Sequence, residues 1–132
     1  MASNGTNESV VTNVQKAKTV KARAGLGQLP AIVAMAFGDG AVTGSSVRTP
    51  LPDDKGLQNE THRQSFDSVE LQEDGISVLY HCTLSKETLA GENINEIGLV
   101  DADGDFACFK SFTNKGKDGD MEMGFSIVDQ FE

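Results

Sequence analysis

Three aspartates at alternate positions, Asp101, Asp103 and Asp105, have the spacing of the first three ligands of a calcium loop. Clustered carboxylate oxygens suit a hard cation of that kind. The rest of the loop does not follow. Its glycine should stand directly after the third acid, where this chain has Phe106, and instead stands at Gly104. The twelfth loop position is Phe112 and not a glutamate. The segment reads instead as a hairpin closed by an Asp-Gly turn of type I′, with exposed flanking acids. Asp101, Asp103 and Asp105 remain the alternative metal set, and neither a metal nor a cofactor is expected.

The other reactive residue types do not converge on a reaction. Gly116-Lys117-Asp118 has a Gly-Lys pair but lacks the spaced glycine and the Ser/Thr of a phosphate loop, so it reads as a solvated turn. His62 lies among Asn59, Glu60 and Arg63, and His81 in the middle of an alternating strand, with no nucleophile at a telling distance from either. Cys82 and Cys108 fall on the inner faces of two expected strands and read as buried, unreactive thiols. Without a convergent set of titratable groups the chain is not expected to be an enzyme.

One charged feature stands apart. Lys16, Lys18, Lys21 and Arg23 fall within eight positions of a chain with 20 acidic and 11 basic residues and a net charge of -9. They are the candidate partner-binding residues, against the alternative of a solvated helix face with cations near the C-terminal end of the dipole. The overall acidity argues against nucleic acid and anionic membrane as partners. No run of apolar residues is long enough to span a bilayer. The polar N-terminus lacks the plan of a signal peptide, and the two cysteines fit synthesis in a reducing cytoplasm.

These residues need elements to hold them. Thr12 and Gln15 match a capping box; Val14, Ala17 and Ala24 follow at helical spacing until Gly25 and Gly27, which predicts a helix over about 13–24. Leu29 to Phe37 reads as a buried strand stopped by Gly38-Asp39-Gly40, and 41–58 as a long loop, either functional or disordered. Residues 60–72 look extended, with Val69 and Leu71 on one face. After the Asp74-Gly75 turn, Ile76 to Leu84 alternate with period two. A turn at 85–92, the hairpin of 94–112 and a strand from Met121 to Ile127 complete the order. The fold expected is α+β, an N-terminal helix packed on a mostly antiparallel β-sheet or small sandwich of about six strands. A single domain over 1–132 is expected, with residues 1–9 a disordered tail.

Four stretches, in order, resemble one family. They are Thr12-Asn13 with Lys16-Ala17-Lys18; Leu29-Pro30-Ala31-Ile32 through Ala36-Phe37-Gly38-Asp39-Gly40; Leu57-Gln58-Asn59-Glu60 with Arg63; and Ile94-Asn95-Glu96-Ile97-Gly98-Leu99 with Asp101-Ala102-Asp103-Gly104-Asp105. Over residues 10–131 the pattern resembles the N-terminal attachment domain of the tail-fibre (tail-collar fibre) proteins of contractile-tailed phages and prophages. Val100 departs from it, standing where that family usually has an aromatic residue. The resemblance implies a structural component of the virion tail, made in the bacterial host cytoplasm, that fixes a fibre to the baseplate or tail collar. Its implied partners are other phage tail or baseplate proteins, with a homotrimer within the fibre as an option. The shaft and receptor-binding tip that normally follow are expected to be missing from this chain. The alternative function is a carbohydrate- or calcium-binding β module.

Overall fold

The computed structural model describes residues 9–130, so residues 1–8 of the expected N-terminal tail lie outside the described residues. In chain order the elements are β1 (Val10–Val11), α1 (Asn13–Arg23), β2 (Ile32–Gly38), β3 (Val42–Thr43), β4 (Ser46–Val47), β5 (Glu60–Gln64), β6 (Ser68–Leu71), β7 (Ser77–Leu84), β8 (Asn93–Asp101), β9 (Phe106–Gly116) and β10 (Met123–Gln130). The strands form a five-stranded sheet in the order β1-β9-β8-β2-β5, a three-stranded sheet β10-β7-β6, and the small hairpin β3-β4. Every pairing is antiparallel.

The main core lies between the two larger sheets. Met35, Phe37, Ile97, Leu99 and Cys108 from the first pack with Cys82, Leu84, Phe125 and Ile127 from the second. The Phe37 and Phe125 rings meet edge to face at 5.3 Å, a favoured aromatic geometry, and bridge the sheets. The opposite face of the five-stranded sheet is buried too, through Ala36, Val100, Phe106 and Phe109 with Leu57 laid over them. Burial on both faces explains why β8 is inaccessible from Ile94 to Asp101 instead of alternating. Val100 belongs to this second cluster.

The segment 41–58, expected as a long loop, contains the β3–β4 hairpin and is architectural, because it covers the sheet. Arg48 is clamped to Asp54 at 2.7 and 3.0 Å, the Arg48 carbonyl accepts the Ser111 hydroxyl on β9 at 2.6 Å, and the Pro52 carbonyl accepts the Asn13 N–H. The Arg48 guanidinium holds the Asp54 carboxyl below the usual carboxylate range.

The extended run expected over 60–72 is two strands in different sheets. The corner lies at 65–67, where Phe66 packs edge-on against Tyr80 and Asp67 ties its N–H to His81 O and its carboxylate to the Thr83 N–H. Val69 and Leu71 are therefore on an outer strand and exposed.

Helix α1 begins at Thr12, whose Oγ1 accepts the Gln15 N–H at 3.0 Å and donates to Phe106 O at 2.8 Å. Only half of the capping box forms. The Thr12 N–H is already given to Ala107 O at 3.0 Å, so Gln15 has no donor to reach back to. Among the described residues Gln15 Oε1 is left buried without a partner. The helix ends in a Schellman turn, with Leu26 N–H on Lys21 O, Gly25 N–H on Ala22 O, and Gly25 at φ +77°. None of its residues is fully buried. Its ties to the sheet run through Thr12 and, farther along, Lys18.

Candidate functional site

The β8–β9 turn is held from inside by Asp101. Its Oδ1 accepts the backbone N–H groups of Asp103 and Asp105, both at 3.0 Å. Asp101 N–H bonds to Asp105 O, and Gly104 N–H to Asp101 O, each at 2.9 Å. Gly104 is at φ +89° and is the turn's one residue with positive φ. This is a three-residue loop closed by a left-handed glycine, not the two-residue type I′ turn expected. A Cβ at Gly104 would meet nothing within 4 Å, so replacing it costs only backbone strain. Gly104→Val is expected to lose about 1–3 kcal/mol, and clearly more than Ala102→Ser. Equal urea midpoints for the two variants would show the turn to be wrongly assigned.

The three aspartates do converge, their oxygens lying within 4.8 Å of one another. Between them sits the Lys18 ammonium, 2.6 Å from Asp101, 2.8 Å from Asp105 and 3.1 Å from Asp103. Asp101 is buried, a correction to the expectation of exposed acids on both flanks, while Asp103 and Asp105 are exposed. Burial alone would lower the Lys18 pKa, but hydrogen bonds to Asp101, Asp105 and Asp103 outweigh it and raise the group above its ordinary range. The alternative metal set is thus engaged by an ammonium from the helix, which a metal ion would have to displace. What the trio does chemically is staple α1 to the sheet.

The remaining family-like motifs meet at a second buried carboxylate, Glu96. Its Oε2 accepts the N–H groups of Gly40 and Asn59, and its Oε1 that of Gln58, all at 2.9 Å. Beside it Asn95 accepts the Ala41 N–H and donates to Asp39 O and to Asn114 Oδ1. The approach is too tight for side chains. A Cβ on Gly38 would fall 2.5 Å from Asn59 O and 2.6 Å from Glu96 Oε2. Glu60 pairs with Arg63, whose guanidinium lies over the Phe106 ring at 5.4 Å. Reading the sequence did not single out Glu96 or Asn95 as an organising pair. The available signal was two adjacent polar residues inside an apolar strand, Ile94-Asn95-Glu96-Ile97.

His62 and His81 are not brought together. His62 bonds Gln64 in the five-stranded sheet and His81 bonds Ser126 in the three-stranded one. Both thiols are buried, and burial pushes Cys82 up to about 11 and Cys108 higher still. Lys117, expected in a solvated turn, is buried, with its ammonium on the carbonyls of Lys86 and Asp118. Of the candidate partner-binding residues, Lys16, Lys21 and Arg23 are exposed on α1, while Lys18 is drawn into the aspartates.

Among the described residues no helix is long and apolar enough to cross a membrane. No curated protein and no solved structure matches the chain. A family model described as phage tail-collar fibre protein, N-terminal, matches residues 5–124. The motifs that meet at Glu96 and Lys18 all lie inside that span, and the chain belongs to the phage tail-collar fibre protein family.

Proposed function

We propose that this domain fixes a fibre to the baseplate or tail collar, as a non-enzymatic part that works by surface complementarity. The observation that carries the reading is the family match over residues 5–124. The sequence motifs within it are used up in internal ties, which leaves the outer surface for recognition. On that surface Lys16, Lys21 and Arg23 are exposed cations of α1 on an acidic chain. Copies repeated around the tail, or three side by side in a fibre, multiply a modest affinity. The aspartates hold Lys18, so the carbohydrate- or calcium-binding alternative has no supporting observation.

Rim charges act mainly on association rate and its salt dependence. The double variant Lys16→Glu, Lys21→Glu is expected to assemble onto tails about tenfold more slowly, with an unchanged melting temperature. Unimpaired assembly in a pull-down against baseplate components would remove the helix from the interface. Binding of the domain to host cells, with none to baseplate, would sink the attachment reading.

A further inference from the structure

The inner face of the three-stranded sheet is left uncovered at one end. Leu71 pairs with Val78 and Val69 with Tyr80, and Tyr80 packs against the core, so all four side chains stand on the inner face. Leu71 is nevertheless 67 % exposed. A groove of about 620 Å³ runs between this end of the sheet and α1. Leu71 and Ile76 wall it on the sheet side, Val20 and Leu29 on the other, and all four are exposed. Apolar residues scattered singly over a surface need no explanation, but four along one groove mark an interaction site. The charge around it is positive. Among the described residues two exposed cations, Lys16 and Arg23, line the groove against one half-buried carboxylate, Asp129. That sign is opposite to the chain's net charge of -9.

An occupant must bring apolar side chains for the walls and negative charge for the rim. We propose that the groove seats a segment of another tail protein in which an aspartate or glutamate, flanked by apolar residues, reaches Lys16 and Arg23. Such rim pairs add little affinity alone, but they fix register and reject basic partners. A second copy of this chain offers Met121, exposed between Asp120 and Glu122. That segment precedes β10, whereas Asp129, which lines the groove, is near the other end of the strand. Copies joined in this way would run head to tail and bring together chains of charge -9, so a different protein fits better. The inference rests on the attachment reading and names the chemistry of its partner.

The test uses the full chain and tails of the parent phage that lack it. A p-benzoylphenylalanine in place of Leu71 is photo-activated after assembly, and the linked peptide is sequenced. A segment of a different tail protein with Asp or Glu close to the linked residue is expected. Arg23→Glu and Lys21→Glu are compared in parallel. Both residues are exposed cations in the last turn of α1, but Arg23 lines the groove and Lys21 does not. Arg23→Glu is expected to weaken tail binding at least about tenfold more than Lys21→Glu, with equal melting temperatures. Leu71→Asp, at an exposed position, should also weaken binding at least about tenfold while the melting temperature is kept. Equal binding of the two charge variants, or retained binding in Leu71→Asp, would overturn the inference. So would linkage to a second copy, to the chain itself or to a segment without an acid. If the chain binds tails but Leu71 links to nothing, the groove assignment fails and attachment stands. If it does not bind tails, both fail.

Discussion

Glu96→Ala is expected to destabilise the protein by about 3–5 kcal/mol, a large share of the roughly 5–15 kcal/mol typical of a folded domain. The loss does not come from a cavity. It comes from three backbone N–H groups, on Gly40, Gln58 and Asn59, that have the Glu96 carboxylate as their acceptor. Each is costly to strand away from water, and the loops that carry them are pinned at a separation that excludes even a Cβ at Gly38. Glu96→Gln should lose less than Glu96→Ala. Its remaining oxygen can still serve the two N–H groups that share Oε2, but its amide group then opposes the third. Urea denaturation of the three proteins checks the order. Coincident midpoints for wild type and Glu96→Ala would show that the loops hold themselves without the carboxylate.

Asp101→Ala should cost about 2–4 kcal/mol, mainly because two backbone N–H groups lose their acceptor, Lys18 keeping Asp103 and Asp105 as partners. The change strands the Asp103 and Asp105 N–H groups and takes from Lys18 its closest partner, at 2.6 Å. Because α1 has no fully buried residue, the damage should spread to it. Hydrogen exchange of the α1 amides is expected to rise together with the fall in melting temperature. Protection of α1 unchanged in Asp101→Ala would mean that Thr12 alone secures the helix. The same geometry predicts no saturable heat when the wild-type chain is titrated with millimolar calcium, since Lys18 would have to leave. A micromolar affinity lost in Asp103→Ala would falsify that account.

What could be read from the sequence was local. The helix at 13–23 follows from the Thr12 cap, the spacing of Val14 and Ala17, and the glycine stop, all within one or two turns of the residues they control. Strands β7, β8 and β9 follow from apolar patterning and from turn residues next to them in the chain. Family membership was legible for the same reason, since motifs are short and ordered. Only the tertiary structure decided which polar groups meet. Lys18 finds Asp101 across 83 positions, and Glu96 finds Gly40 across 56. Gln15 could not complete its capping box because Ala107, on a distant strand, had taken the N–H it needed. Nothing near these residues in the chain encodes such pairings. They arise because a polar group removed from water must be satisfied by whatever the packed sheets bring within reach, and among the described residues the same packing leaves Gln15 Oε1 without a donor.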